Sequence, residues 1–147
     1  MQSKLVEARP GGRAYVVVME TDDDVLAELQ RFFDAEQIFS AELAGIGGFR
    51  RATLGYYDVD EKRHERIEID EQVELISMLG NVTAYNDAPR MHAHCAVGHR
   101  DGRTTSGPLL AATVRPTLEL MVHELPVLVV RTDRPEVGIP LIDLSGR

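Results

Sequence analysis

The chain has 147 residues, the length of one domain that can bury a core without external staples. With 16 Lys and Arg against 24 Asp and Glu the formal charge is −8, which repels a phosphate backbone unless the basic residues gather on one face. The lone Cys95 excludes an internal disulfide framework and a cysteine-based zinc cluster, and it suits a reducing compartment.

The opening segment, MQSKLVEARPGGR, lacks the apolar centre of a signal peptide, and no apolar run approaches the roughly 20 residues of a membrane-spanning helix. A cytoplasmic protein with no membrane contact is expected. Past this polar stretch, Ala14 to Met19 is short and dense in β-branched residues, as in a buried strand. The period then changes. Thr21 is placed to cap a helix whose first turn holds Asp22, Asp23 and Asp24, and Val25, Leu26, Leu29, Phe32 and Phe33 give it one apolar face.

From Ile38 onward the pattern is strand after strand. Phe39 to Ala44 and Phe49 to Tyr57 flank Gly45-Ile46-Gly47-Gly48, which no helical period follows. A bulge or tight β connection therefore explains these glycines better than a dinucleotide loop. His64 to Asp70 alternates as a strand with one wet face, and Glu71 to Val82 reads as a buried strand bent at Gly80-Asn81. Asn86 to Pro89 is a turn, Arg90 to Gly98 a strand, and Asp101-Gly102 closes a hairpin. Leu109 to Val114, Thr117 to Leu125 and Val127 to Val130 complete the predicted strands, and the tail around Gly138 to Ile142 packs on the core or on a neighbouring chain.

Several segments in this order form a recognisable combination: Leu54-Gly55-Tyr56-Tyr57-Asp58, Glu74 to Val82, Pro89-x-x-His92-x-His94, Asp101-Gly102 and Pro116-Thr117-x-Glu119. With the early strand and helix and Gly45-x-Gly47, they make the chain resemble the PPC domain (DUF296) family, in its prokaryotic stand-alone form without an AT-hook. The resemblance implies an α+β fold: a strongly bent, mostly antiparallel sheet with one main helix packed on it, assembled as a trimer. A single domain is expected over 1–147, with a core from about 14 to 131 and a tail over 132–147. Gly80, Pro89, Gly102, Gly107, Pro116, Thr117 and Glu119 are the family-motif positions. The chain departs from the family at two places. Ser106-Gly107-Pro108-Leu109 stands where Gly-Gly-His-Leu is usual, so Pro108 replaces a histidine. Glu71 to Ile76 keeps only the second half of the hexapeptide that the plant proteins use for partner contact.

His92 and His94, two apart on a strand, project from the same face and can seat one ion or line one polar pocket. Zinc usually takes at least three protein ligands, and Pro108 offers none. His99 is the nearest substitute but has the opposite parity; Glu74 or a neighbouring subunit could complete the set. Cys95 falls on the core side, where an unpaired thiol behaves as a small hydrophobe. Ser77 lacks a nucleophile elbow, and His64 and His123 read as structural or exposed. Glu74 and Glu119 sit in aliphatic runs, with Arg115 a partner by sign. The resulting expectation is a homotrimeric binding or regulatory module rather than an enzyme, its pocket built from His92, His94, Glu74 and Asn81 near subunit clefts and receiving a small ligand or a protein. The alternative is a metal-binding protein or metal-dependent enzyme using His92 and His94, with a divalent cofactor such as zinc. DNA binding, by which relatives are often named, is opposed by the charge and by the missing AT-hook.

Overall fold

Burial at every second residue builds nearly the whole molecule. In the computed structural model, which describes residues 1–145, the order is β1 (Gln2–Arg9), β2 (Gly12–Glu20), α1 (Val25–Glu36), β3 (Ala41–Asp58), β4 (Arg63–Ile69), β5 (Val73–Tyr85), β6 (Ala88–Gly98), β7 (Thr104–Glu124), β8 (Val130–Arg134) and β9 (Ile139–Asp143). The last two residues of the expected tail, 146 and 147, lie outside the described residues. All pairings are antiparallel except the bridge between β5 and β8. Strand β3 pairs with β5, β5 with β6, β6 with β7 and β7 again with β3, so the sheet curls into a hydrogen-bonded ring. Strands β1 and β2 extend it past β7, β4 lies along β3, and the β8–β9 hairpin hangs from β5.

The helix closes the concave side. Val25, Leu29, Phe32 and Phe33 form its buried face, as the spacing predicts, and the Phe32 ring meets Tyr15 of β2 edge-on at 5.3 Å. Phe49, Leu54, Met78, Leu118 and Leu120 of the sheet are fully buried, as Phe33 of the helix is. Each such side chain contributes about 2 kcal/mol by leaving water.

The cap differs from the expectation. Asp24, not Thr21, accepts the Ala27 amide at 2.9 Å. The chain has already turned at Asp22, whose φ is 75°, and Thr21 donates its hydroxyl to the Pro116 carbonyl. The helix therefore begins three residues later, where a carboxylate meets the unpaired amides.

Four other segments differ from the sequence reading. The polar opening segment forms β1, an edge strand whose side chains are almost all exposed, so it carries no apolar pattern to announce it. The two runs around Gly45–Gly48 are one strand. The register with β7 jumps at Gly47, where φ is 155° and an added Cβ would lie 2.2 Å from the Thr117 carbonyl oxygen; only glycine allows the bulge. The same jump takes up Arg115 and Pro116 on the facing strand, so β7 runs unbroken where two strands are predicted. The segment from Val127 is not yet strand: Val127 and Leu128 are exposed, and the ladder begins at Val130. Among the described residues no helix is long and apolar enough to cross a membrane.

Candidate functional site

Strand β6 alternates strictly through its centre: Ala93, Cys95 and Val97 point into the core, while His92 and His94 face outward. Burial pushes the Cys95 thiol up to about 12, so this side of the strand offers no thiolate. On the outer side the two imidazoles meet edge to face, with their Nε2 atoms 3.2 Å apart. One ring donates to the other's lone pair, and the contact accommodates one proton, not two. Removal from water lowers the His92 pKa; the Arg131 cation, the His94 ring, His64 and Arg90 push the same way.

These rings form one wall of a hollow of about 330 Å³. Register places Pro108 of β7 directly across from His94. The β8–β9 hairpin contributes Arg131, Ile139, Pro140 and Leu141 to the lining, and Tyr57, His64 and Arg90 complete it. Tyr57 donates its hydroxyl to the Val137 carbonyl at 2.6 Å and so ties the hairpin turn to β3. Burial lowers the pKa of the Arg131 guanidinium and Arg90 adds to the effect. Arg90 itself lies over the Tyr85 ring, 5.0 Å from its centre.

Of the residues expected in the pocket, the structure brings together His92, His94 and Asn81. Asn81 is the register partner of His92 and does not line the hollow itself; it accepts a hydrogen bond at 3.0 Å from Arg131, which does. Glu74 and His99 lie elsewhere. Both line a separate depression with Glu71 and Arg100, at the far end of β5 and β6. His99 is nearly buried, each ring nitrogen engaged at 2.8 Å by Glu71 or Thr105, so it cannot turn toward His92. His64 is exposed, as read, and also borders the hollow, 4.8 Å from the Tyr57 ring. Arg131 and the apolar wall were missed, because they belong to a hairpin that joins the ladder at one pair with β5 and is otherwise held by side-chain hydrogen bonds. The available signal was Arg131 among alternating residues, followed by the turn-forming Pro135 and Gly138 and then Ile139 to Ile142.

The motif positions outside the hollow do structural work. The Pro89 carbonyl accepts from Gln30 of the helix at 3.0 Å, Thr117 donates to the Met19 carbonyl at 3.1 Å, Gly80 and Gly107 pair with Ala93 and Cys95, and Gly102 takes the positive φ of the hairpin turn. Glu119 and Arg115 both face solvent and form no ion pair among the described residues.

A curled antiparallel sheet under one helix, with paired histidines on the outer face of a ring strand, defines a strand-rich α+β domain of a known kind. The chain belongs to the Plants and Prokaryotes Conserved (PCC) domain family, whose model matches residues 6–126. Among solved structures it is similar to a plant- and prokaryote-conserved (PPC) protein of Pyrococcus horikoshii, with 28% identity, 90% of this chain and 92% of that one covered, and a TM-score of 0.86. A metal-containing protein of Archaeoglobus fulgidus is 28% identical over 90% of this chain and 94% of its own, at a TM-score of 0.84. A Ralstonia eutropha protein, named for a proposed DNA-binding role, is 30% identical over 88% and 90%, at 0.82. No curated protein matches the chain.

The metal-containing relative invites a test of the donor set. Two imidazole nitrogens 3.2 Å apart are a start, but a zinc site usually draws at least three ligands from protein. Pro108 has no side-chain donor, and no group of three His, Cys, Asp or Glu converges among the described residues. Two guanidinium cations also share the hollow. Within one chain these residues do not fit a divalent ion.

Proposed function

We propose that the protein is a non-enzymatic binding or regulatory module, a homotrimer of single-domain chains whose hollow at His92 and His94 opens beside a subunit contact and receives a small ligand. One observation carries this reading. The outer row of the sheet runs through register partners Met121, Ala44, Leu79 and His94, and Leu79 and Met121 are 62% and 50% exposed. Ile46 and Ile76 are exposed too. Exposed apolar side chains gathered on one face suit burial against another copy of the chain, and that copy would then border the hollow.

The hollow's polar side chains are engaged with one another and with neighbouring groups, an arrangement suited to holding a ligand. The histidines bond to each other instead of to an orienting carboxylate, and Cys95 faces away with its thiol protonated. The rival reading as a metal-binding protein or metal-dependent enzyme has the imidazole pair in its favour, and elemental analysis of the purified protein decides it. DNA binding meets a net charge of −8, and an electrophoretic shift assay on duplex DNA at low salt is expected to show no retention.

Light scattering tests the assembly. Wild type is expected at the mass of three 16.3 kDa chains, and the double variant Leu79→Glu, Met121→Glu at the mass of one. A monomeric wild type at micromolar concentration sinks the reading.

A further inference from the structure

The hollow's ligand can be narrowed by what Arg131 leaves unused. Its Nε, Nη1 and Nη2 donate to Thr83 Oγ1, the Pro140 carbonyl and Asn81 Oδ1, each at 3.0 Å. A guanidinium has five N–H groups, so two remain, one on each terminal nitrogen. All three acceptors are neutral. Among the described residues no carboxylate comes within ion-pair distance of Arg131 or Arg90, although the chain holds 24 acids against 16 bases. Asp133, two residues along β8, is held by the Tyr85 hydroxyl at 2.7 Å. A half-buried cation fixed in place by neutral groups is an unbalanced charge, and an anion would balance it.

The rest of the lining specifies more than charge. Ile139, Leu141 and Pro108 are apolar, Tyr57 presents its ring, and the volume of about 330 Å³ lies at the small end of ligand pockets. One free N–H on each terminal nitrogen suffices to meet the two oxygens of a carboxylate. Phosphate sites usually add backbone amides from a helix N-terminus or a nest. No helix reaches this hollow, and α1 caps its own first turn with Asp24.

We propose that the hollow binds a small organic monocarboxylate with a compact apolar body, the carboxylate on the free N–H groups of Arg131 beside the His92–His94 pair and the body against Ile139, Leu141 and the Tyr57 ring. The proposal rests on reading this hollow as the ligand pocket. It also gives a reason for the poor metal fit: with Pro108 in place of a donor and two arginines at the rim, the site selects the opposite sign of charge.

Titration calorimetry with benzoate and hexanoate, against benzyl alcohol and inorganic phosphate, tests it on the 147-residue chain. Benzoate or hexanoate is expected to bind at least tenfold more tightly than either control. Arg131→Met is expected to lose at least tenfold in affinity, Arg131→Lys to lose less, and Leu141→Asp to lose binding while keeping the fold, so the test survives if one variant is unstable. Benzoate affinity unchanged in both Arg131→Met and Leu141→Asp overturns the proposal. So does phosphate binding as tightly as benzoate, stoichiometric zinc uptake that depends on His92, or no carboxylate binding by a protein that light scattering shows to be trimeric. In that last outcome the assembly stands and only the ligand class falls.

Discussion

Two arginines on this sheet are used in opposite ways. Arg13 on β2 is paired with acids: Nε and Nη2 grip both oxygens of Glu124 at 2.6 and 2.9 Å, Nη2 also reaches the Glu36 carbonyl at 2.8 Å, Nη1 lies 3.4 Å from the Glu36 carboxylate, and that carboxylate takes the Tyr15 hydroxyl at 2.6 Å. The knot fastens the helix C-terminus to β2 and β7, and the Glu124 carboxylate holds the guanidinium above its ordinary value. Arg131 is anchored just as firmly but only by neutral atoms, with donors to spare. A charge whose partners all lie within the fold serves stability; one fixed in place and left unbalanced serves recognition.

That contrast can be broken experimentally. The largest effect is expected for Arg13→Met, a loss of about 2 kcal/mol in urea unfolding, because the carboxylates of Glu124 and Glu36 are left without their charged donor. Its pH dependence sharpens the point. The hydrogen bond from Arg13 holds Glu124 below its ordinary 4.5. The stability this contributes is complete above that value and is lost as the pH falls through the lower folded one. The acid limb of the stability curve is therefore expected to be shallower in Arg13→Met than in wild type; identical limbs would mean that the knot is not the source.

Arg131→Met is expected to cost no more than about 1 kcal/mol, since the bonds lost are to neutral groups and an unbalanced charge goes with them. A loss as large as that of Arg13→Met would contradict the division of roles. Changing the sign preference is the next step. Pro108→His combined with Arg131→Met supplies a third imidazole and removes a cation, and a zinc-dependent rise in melting temperature is expected in the variant and not in wild type. At a hundredfold excess over Kd the rise corresponds to about 2.7 kcal/mol. The smallest effect concerns the inner face of the same strand. Native Cys95 is expected to stay unlabelled by a thiol reagent while the urea-unfolded chain reacts fully, given its burial and a pKa pushed up to about 12.

What the sequence disclosed follows from how local each feature is. The shared face of His92 and His94, and the opposite face for Cys95, needed only strand alternation, which β6 obeys without a bulge between those residues. The family combination likewise lies in short contiguous pieces. Glu74 was misplaced because its register partner is Gly98, well along β6 from His94 and His92, so the length of the strand separates it from the histidines. Arg131 and the wall of Ile139 and Leu141 arrive from about 40 residues downstream on a hairpin joined to the sheet through one ladder pair, Ala84 with Val130. No pattern within β8 and β9 specifies where that hairpin lands. Strand β1 escaped notice because an edge strand with nearly every side chain in water leaves no hydrophobic period to read.

The ring formed by β3, β5, β6 and β7 has one more consequence. His94 lies between hydrogen-bonded neighbours on both sides, Leu79 and Pro108, while its side chain and that of Pro108 look outward from a core filled by other residues. Exchanging a side chain at either place leaves the interior and the ladder intact. The frame thus holds positions 94 and 108 by its ladder alone and leaves both side chains free to meet whatever enters the hollow.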